Sequence, residues 1–322
     1  MTAVPVTISV VMAVRNGAGA LAQTVDSVLR QEGCDFELIV VDDGSIDEVP
    51  ALLARLQSTD PRLRVITQTN AGLTRALVAG CGEARGQFIA RIDAGDIALP
   101  GRLSAQAEAL HADADLTFVS CVTRIVEPQG RLLLLQRGTG AATFPARILA
   151  PELPHGVSDG PSAHASVMFR RDAYVAVGGY RPEFYFGQDW DLWYRLAEVG
   201  KFQLIPRTLL EMSLGTDNIS LQYRTDQQHY ARLSREALRL RQAGRSEAPV
   251  LAAAEALRPV SRRPPGRGVT SAGLYFIGEC LRRNRDLVPA RQYFRRALRQ
   301  DPGNWRAWIR LAQALVARTG SS

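Results

Sequence analysis

The sequence predicts an α/β fold, built on a Rossmann-like mixed sheet, with a small all-α helical-repeat appendage at its C-terminal end. Three observations support this fold class. Short apolar segments alternate with helical periodicity over the first 126 residues, the alternation then becomes looser, and small residues recur at repeat-like intervals near the C-terminus. Alternation of strands and helices is typical of parallel strands joined by crossover helices.

The length and composition fit one large domain with a smaller one after it. The chain has 322 residues, of which 46% are hydrophobic, enough for a main domain of roughly 200 to 250 residues. We expect this domain, with a C-terminal helix of its own, to cover residues 1–243. A linker follows at 244–269, where the Pro, Arg and Gly residues of 258–268 leave little to pack. Helices complete the chain at 270–322.

Cysteine usage and hydrophobicity limit the location of the protein. The four cysteines lie far apart and show no metal-ligand spacing, which argues against a disulfide framework or a zinc site. The longest apolar runs are about half of the ~20 residues that cross a bilayer, and no signal-peptide pattern begins the chain. We expect a cytoplasmic protein, or one peripheral at the inner face of the membrane. Lys201 is the single lysine among 39 basic residues, a codon-usage bias that favours a bacterial source.

The first part of the chain contains four predicted strands, at 7–14, 37–41, 62–67 and 87–92. Helical periodicity lies between them, at 20–32, 47–58 and 72–84. The spacing of Ser45 and Glu48 predicts a capping box at the start of the second helix. Because doubly wound sheets bind ligands beyond the carboxyl ends of their strands, the residues just after each strand are the candidates for a functional site.

The first two strands end in polar turns. Asn16 and Gly17 follow Val14, and such a turn lets backbone amides face a ligand. No GxGxxG follows this strand, which argues against a dinucleotide-binding oxidoreductase. Asp42 and Asp43 follow the second strand, and because two adjacent carboxylates repel each other, they favour a polar ligand such as ribose hydroxyls or a base N–H. A solvated turn is the alternative.

The next two strands are also followed by polar residues. Asn70, Gly72 and Arg75 stand at the start of the third helix, where a helix N-terminus with an arginine suits a diphosphate. Arg75 as an ordinary surface residue is the alternative. Asp93 and Asp96 follow the fourth strand, and their carboxylates could hold Mg²⁺ or Mn²⁺ against phosphates, because these cations take oxygen ligands.

Small and aromatic residues near the C-terminus have the spacing of a tetratricopeptide repeat. The offsets are 12, 4, 3 and 5 along Gly278, Ala290, Phe294, Ala297 and Pro302. This pattern resembles one 34-residue repeat at about 271–304, with the start of a second copy after it. An ordinary alanine-rich helical hairpin is the alternative.

The charge of the chain is concentrated at this end. Residues 256–322 contain 14 arginines and three acidic residues, a formal charge of +11. A basic segment can bind a protein partner or an anionic membrane surface, and solvated helix faces are the alternative. The segment lacks interleaved aromatics or a known nucleic-acid-binding module, so we expect no nucleic-acid partner.

Several segments, taken in order, carry a family resemblance. They are 8–12, 39–47, 86–93, 168–171, 178–180 and 188–196, the last with the sequence Gln-Asp-Trp-Asp-Leu-Trp-Tyr-Arg-Leu. This order resembles the family 2 glycosyltransferases, whose nucleotide-sugar-binding fold is called GT-A. The resemblance implies an inverting transfer of a sugar from a nucleotide-diphosphate donor to the hydroxyl of a saccharide or lipid-linked acceptor. Cell-surface polysaccharide or glycolipid biosynthesis is the context that the family implies.

The resemblance also implies roles for individual residues. Asp189 would be the general base. Donor-binding residues would be Val14, Asn16, Asp43, Asn70, Gly72, Arg75 and Asp93. The acceptor side would be bordered by His164, Trp190 and Asp191, with a buried structural role as the alternative for His164. A divalent cation, Mg²⁺ or Mn²⁺, would be held by Asp93 and Asp96.

The sequence departs from the family pattern at the metal motif and elsewhere. Gly95 replaces the second aspartate of the Asp-x-Asp motif, and the usual Arg-x-His is missing from residues 211–220. Ala13 and Arg15 replace the usual proline and tyrosine. The alternative function is therefore a catalytically degenerate domain that acts as a sugar-nucleotide-binding or scaffold protein.

Overall fold

The structure is a computed structural model that describes residues 6–137, 160–215, 223–259 and 266–316. It contains two compact units. The first unit consists of Met1–Thr123, Gln136–Met212 and Gln228–Arg258, and the second of Arg124–Leu135, Ser213–Gln227 and Pro259–Ser322. Among the described residues, no helix combines the length and the apolar character needed to cross a membrane.

The N-terminal part of the first unit is the predicted parallel sheet. Its strands are β1 (Ile8–Val14), β2 (Phe36–Asp43), β3 (Leu63–Gln68) and β4 (Phe88–Arg91), and they lie in the order β3-β2-β1-β4. The crossover helices are α1 (Ala18–Leu29), α2 (Val49–Thr59) and α3 (Leu73–Gly82). All four predicted strands and all three predicted helices are confirmed, with ends that differ by a few residues.

Antiparallel strands extend the sheet beyond β4. They are β5 (Ile97–Ala98), β6 (Leu116–Val126), β7 (Leu132–Gln136), β8 (Met168–Arg170) and β9 (Lys201–Ser213). The order continues from β4 as β8-β6-β9-β5, and β7 pairs with β6. Helices α4 (Arg102–Ala112), α5 (Arg171–Ala176) and α6 (Gln188–Val199) belong to this half. The mixed sheet agrees with the predicted fold class.

The central strands β1 and β2 are buried on both faces of the sheet. Every residue of β1 and β2 is buried, as expected for central parallel strands with helices on either side. One cluster contains Leu21, Val25 and Leu53 from α1 and α2. A second contains Leu77 of α3 and Trp193 of α6. Successive strand residues alternate between these two clusters, so the backbone is held rigidly where the strands end.

Two further helices supply the segment Gln228–Arg258 of the first unit. Helix α7 covers Arg224–Gln242 and α8 covers Ala248–Ala256. The hydroxyl of Tyr230 donates to the carbonyl of Ala254 at 3.0 Å, and Glu247 accepts from Arg181 at 2.9 Å. Helix α8 lies inside the range that was expected to be a linker. It forms there because a proline in its first turn and a run of alanines favour a helix. The domain boundaries themselves stay a prediction, and residues 260–265 lie outside the described residues.

The second unit contains the predicted helical repeat. Its helices are α9 (Arg267–Arg283), α10 (Leu287–Gln300) and α11 (Trp305–Val316). A Cβ at Gly278 would lie 2.8 Å from the ring of Phe294, so glycine permits the close approach of α9 and α10. On α10, the hydroxyl of Tyr293 donates to the carboxylate of Glu127 at 2.8 Å. Glu127 is fully buried and follows β6, so these helices pack on the tip of the β6–β7 hairpin.

Candidate active site

The candidate site lies in the first unit, at the carboxyl ends of the parallel strands. Asp43 is the last residue of β2, and Asp93 follows β4 by two residues. The charge of Asp93 influences the titration of both His164 and Asp189. The strand ends, the turn at His164–Ser166 and the start of α6 therefore bring together predicted residues that are far apart in the chain.

Asp43 organises the loop that leads into α3. Its carboxylate accepts hydrogen bonds from the side chains of Gln68, at 2.7 Å, and Asn70, at 3.1 Å. It also accepts from the backbone N–H groups of Ala71, at 2.7 Å, and Gly72, at 2.9 Å. A carboxylate offers about four acceptor positions, so these donors use the acceptor capacity of a buried side chain.

The loop after β1 is tied to the loop after β2. Asn16 has a positive φ of 63°. Its backbone N–H donates to the hydroxyl of Ser45 at 2.9 Å, and its side-chain oxygen accepts from the N–H of Ile46 at 3.0 Å. Asp47 accepts from the N–H of Gly17 at 2.6 Å. These bonds fix the position of Asn16, which is predicted to bind the nucleotide sugar. Asn16 is exposed, whereas Val14, the other residue predicted for this loop, is buried.

The predicted capping box at Ser45 and Glu48 is wrong. Helix α2 begins at Val49, and Glu48 occupies the N-cap position without a side-chain capping bond. The carboxylate of Asp47 instead accepts from the N–H of Val49 at 3.1 Å. Ser45 lies too far before Val49 to be the N-cap, and its hydroxyl accepts from Asn16, a long-range contact that the local spacing does not reveal.

Arg91, near the end of β4, is a buried cation next to Asp93. Its side chain is 1% exposed and donates to the carboxylate of Asp93 and to the carbonyl of Ile92. Burial is the largest single effect and works to raise the pKa of Asp93, but the charge of Arg91, the interaction with His164 and the hydrogen bond from Arg91 together lower that pKa. Asp93 is therefore ionised, and 42% of its side-chain surface remains exposed to a ligand.

Asp96 is the second predicted metal ligand, and it is buried. Burial, followed by the charge of Asp93, raises the pKa of Asp96 well above its ordinary value. Its Oδ2 has no hydrogen-bond partner among the described residues. Within the same part of the chain, no group of three or more His, Cys, Asp or Glu side chains could hold a metal ion. The carboxyls of Asp93 and Asp96 thus fit only a weak site for a divalent cation, which needs further oxygen ligands from a substrate.

His164 is a neutral hydrogen-bonding residue. Its Nε2 lies 2.7 Å from the hydroxyl of Tyr180, and its ring packs edge-on against Trp193 with centroids 6.4 Å apart. Burial, then the charge of Arg91, lowers the pKa of His164 to about 3. The imidazole is therefore uncharged near neutral pH, so it offers the site a hydrogen bond and no positive charge.

Asp189 lies in the first turn of α6, where its backbone is fixed. Gly187, with a φ of 66°, is the N-cap of the helix. The carboxylate of Asp189 accepts from the N–H of Trp190 at 2.9 Å. Burial raises the pKa of Asp189 to about 6, against the effect of its backbone hydrogen bonds, and the charge of Asp93 adds to the rise. A partly buried carboxyl with this pKa can accept a proton near neutral pH.

Asp191, which the resemblance places on the acceptor side, lies in a buried ion pair. Asp191 is 1% exposed and forms an ion pair with Arg195 at 2.5 Å. Arg181 lies 3.6 Å from its other oxygen. Residues 189 and 191 point to different faces of α6, so only Asp189 faces the site. Asp191 anchors α6 in the core.

The other predicted residues lie at the surface or at its margin. Arg75, in the first turn of α3, is exposed, as is Asn70. Trp190 is partly buried, and its ring lies 5.2 Å from that of Trp193. Arg91 and Tyr180 are residues of the site that had no predicted role. An arginine two residues before Asp93, inside an apolar strand, was a visible signal for the first.

Comparison with known proteins identifies the family of the N-terminal part. The model of the family described as glycosyl transferase family 2 matches residues 9–176, and a tetratricopeptide-repeat model matches residues 271–314. The chain is 27% identical over 214 residues to a chondroitin synthase of Pasteurella multocida, a match over 66% of this chain and 21% of that protein. It is 42% identical over 108 residues to the succinoglycan biosynthesis protein ExoO of Rhizobium meliloti, over 33% of this chain and 30% of that protein. The chain thus spans less than a third of the length of these curated relatives.

A third relative is matched over most of its length, and solved structures share the fold. The putative glycosyltransferase EpsE of Bacillus subtilis is 30% identical over 198 residues, which is 60% of this chain and 67% of that protein. The structure of Staphylococcus aureus TarS 1-349 with UDP has a TM-score of 0.53 at 14% identity, over 97% of this chain and 82% of that one. The mannosyltransferase PcManGT of Pyrobaculum calidifontis, with GDP-Man and Mn²⁺, has a TM-score of 0.52 at 16% identity, over 98% of this chain and 86% of that one.

Proposed function

Because this chain belongs to glycosyl transferase family 2, we propose that it is an inverting glycosyltransferase that moves a sugar from a nucleotide-diphosphate donor to an acceptor hydroxyl. One observation carries the proposal. The carboxyl of Asp189, with its pKa raised to about 6, lies within the electrostatic influence of Asp93 at the carboxyl edge of the sheet. A base and a donor-side carboxylate in one site are what a direct displacement needs.

The reaction is a single displacement. Asp189 accepts the proton of the acceptor hydroxyl while the acceptor oxygen forms a bond to the anomeric carbon. The bond between that carbon and the diphosphate breaks, and its electron pair leaves with the nucleoside diphosphate. Attack from the face opposite the leaving group inverts the configuration. Trp190 and neutral His164 border the acceptor side, where they provide an apolar surface and a hydrogen bond.

The nucleotide binds at the loops after β1, β2 and β3. Asp43 holds the N–H groups of Ala71 and Gly72, and the base and ribose contact this loop together with Val14 and Asn16. The start of α3 and exposed Arg75 attract the diphosphate. TarS with UDP and PcManGT with GDP-Man support a nucleotide at this fold's site.

A divalent cation assists donor binding. Mg²⁺ and Mn²⁺ neutralise the charge of the diphosphate when they are bound. Asp93 and the unpartnered oxygen of Asp96 would hold the ion, with the phosphates as its other ligands. Gly95 offers no carboxylate, so the ion is held more weakly than by a complete Asp-x-Asp motif.

The product is a cell-surface polysaccharide or glycolipid, and the sugar is a hexose type. The names of the chondroitin synthase and the succinoglycan biosynthesis protein support this context. The acceptor is accordingly a saccharide or a lipid-linked precursor. Such an acceptor would bring the protein to the inner face of the membrane as a peripheral protein of the cytoplasm.

The C-terminal helices bind a protein partner or the membrane surface. On α11, Trp305 is 63% exposed and Trp308 is 55% exposed. Terminal repeats of soluble repeat proteins carry a polar outer face, and these tryptophans do not fit that pattern. Residues 266–316 also contain ten arginines and three acidic residues, so a partner surface would be acidic.

A degenerate nucleotide-sugar-binding or scaffold protein is the second candidate. Gly95 in place of an aspartate, and the small number of metal ligands among the described residues, favour it. Incubation with a panel of UDP- and GDP-sugars and acceptor saccharides separates the two functions. An enzyme releases free nucleoside diphosphate, and the amount released is proportional to the amount of acceptor that is glycosylated. Tight binding of a nucleotide sugar without release under any of these conditions would establish the scaffold function instead.

A further inference from the structure

Arg258 lies beyond the end of α8, in the segment that the sequence indicates as a linker. Its guanidinium Nη2 donates to the carbonyl of Ala71 at 2.8 Å, across 187 residues of the chain. The same guanidinium lies over the ring of Tyr185, 5.5 Å from its centroid. Both contacts lie within the first unit. A residue of an expected linker therefore contacts the loop between β3 and α3.

This loop is held from two sides. Asp43 binds the N–H groups of Ala71 and Gly72 from the sheet, and Arg258 binds the carbonyl of Ala71. The carboxylate of Asp43 thus accepts from two N–H groups of the loop, and the guanidinium of Arg258 donates to one of its carbonyls. Charge-assisted hydrogen bonds are about twice as strong as neutral ones, so removing either charge frees the loop.

Tyr185 closes the loop at Gly72. A Cβ at Gly72 would lie 3.0 Å from Cε2 of this ring. The hydroxyl of Thr74 donates to the carbonyl of Phe184 at 2.7 Å, which ties the start of α3 to the segment that carries Tyr185. The ring therefore lies against the loop at Gly72 and also forms the surface on which the guanidinium of Arg258 rests. Arginine is suited to this position because its planar group can stack and donate at once.

We propose that Arg258 is a positioning residue for nucleotide binding, acting through the loop of Asn70, Ala71 and Gly72. This inference rests on the proposed function, because it takes that loop as the site of the donor nucleotide. It assigns part of the donor site to a residue outside the segment matched by the family model, which ends at residue 176. Arg258 touches no reacting atom in this account and fixes only the conformation that the nucleotide meets.

The test begins with Arg258→Ala in the full chain, with Arg245→Ala as the matched control. Arg245 is exposed and lies in the turn between α7 and α8, so its loss removes the same charge without the contact to Ala71. Amide hydrogen exchange of residues 70–73, measured without ligand, should accelerate at least about fivefold in Arg258→Ala and stay unchanged in Arg245→Ala. Unchanged exchange in Arg258→Ala would overturn the proposal, whatever the donor is.

The second measurement is the affinity for UDP and GDP with Mn²⁺, followed by donor KM and kcat. We expect about tenfold weaker binding and a correspondingly raised KM for Arg258→Ala, with kcat within about twofold of the wild type. Arg258→Lys should recover part of the affinity, because an ammonium group donates to the carbonyl but cannot stack as a plane. A fall in kcat with unchanged KM, or a lower melting temperature with unchanged affinity, would overturn the positioning role. Absence of UDP or GDP binding in the wild type would count against the proposed function, while the exchange result would still decide whether Arg258 holds the loop.

Discussion

Asp43 accepts a hydrogen bond from the backbone N–H of Gly72 at 2.9 Å, across 29 residues of the chain. A carboxylate at the end of one strand thus fixes the loop that follows the next strand.

Asp43→Asn should destabilise the loop and weaken nucleotide binding together. The amide keeps one acceptor oxygen but turns an N–H group toward other N–H donors, and a hydrogen bond to a charged group contributes about 1.5–3 kcal/mol. We expect the free energy of unfolding to fall by that amount in a denaturant titration, with at least tenfold weaker binding of UDP or GDP. Asp26→Asn is the control, because exposed Asp26 pairs with Arg30 within one helix, and such a pair contributes about 0.5 kcal/mol or less. Native affinity in Asp43→Asn would place the nucleotide elsewhere.

Asp189→Asn should remove the general base and leave the fold intact. Asparagine can still accept the N–H of Trp190 at the start of α6, but it cannot take the proton of the acceptor. We expect transfer to fall at least about a hundredfold, with near-native nucleotide affinity. Asp191→Asn is the contrasting variant, since it breaks the buried pair with Arg195 and should lower stability. Transfer within threefold of the wild type in Asp189→Asn would remove the base from this position.

The pH dependence follows from the raised pKa of Asp189. Transfer should increase as pH rises through about 6, because only the ionised carboxylate accepts a proton. Stability changes in the opposite direction. The folded state holds this proton more tightly than the unfolded chain, so the free energy of unfolding contributed by Asp189 falls as pH rises from about 3.8 to about 6. A rate profile and denaturant titrations between pH 4 and 8 test both parts, and Asp189→Asn should lack both. A flat rate profile in the wild type would contradict the assignment.

The metal prediction concerns Asp93 and Asp96. We expect Mn²⁺ to strengthen binding of UDP or GDP modestly, Asp93→Asn to abolish this effect and Asp96→Asn to reduce it, as measured by titration calorimetry with Mn²⁺ and with EDTA. Restoring the missing ligand as Gly95→Asp is a poor test, because Gly95 has a φ of 104° and a left-handed conformation costs other residues about 1–2 kcal/mol. Equal affinity of the wild type in EDTA and in Mn²⁺ would show that the donor binds without the ion.

The C-terminal helices should take no part in sugar transfer. A chain that ends at Pro259 retains Arg258, and we expect it to keep its turnover of donor on a soluble acceptor. The full chain with Trp305→Ser and Trp308→Ser is the milder comparison, because both side chains are largely exposed and the substitutions remove one hydrogen bond, from Trp308 to the carbonyl of Pro302. Thermal unfolding confirms that each protein is folded before its activity is measured. If the folded shorter chain no longer turns over donor, the helices belong to the active site.

Much of the fold follows from local patterns in the sequence. The strands β1 to β4 were predictable because both faces of a parallel sheet are buried and the apolar runs end abruptly. Helix α6, at Gln188–Val199, is recognisable in the sequence because its apolar residues repeat at the helical period. The repeat helices α9 and α10 were predictable from the small residues that their close approach requires.

The rest depends on contacts between residues that are distant in the chain. The hydroxyl of Ser45 accepts from Asn16, and α2 begins too late for the capping box that the spacing predicted. The carboxylate of Asp191 pairs with Arg195 and Arg181, contacts that the family resemblance did not reveal. Arg258 contacts Ala71 across 187 residues, and nothing in the composition around it gives a sign of this. The features of the site that the sequence did not predict are thus side-chain contacts with residues that are distant in the chain and become neighbours only in the folded protein.

Because Arg91 is buried, its interaction with Asp93 should respond to salt differently from the interactions of the exposed arginines on the C-terminal helices. At about 0.15 M ionic strength, the interaction between two exposed charges is largely screened once they are more than about 8 Å apart, whereas buried pairs are screened much less. The pair of Arg91 and Asp93 is closed to counterions on the arginine side, so its influence should persist at high salt. The exposed arginines of α10 and α11 have no such protection, and binding of an acidic partner there should weaken steeply. We therefore expect the proposed partner to dissociate at an ionic strength at which the pairing of Arg91 with Asp93 still persists.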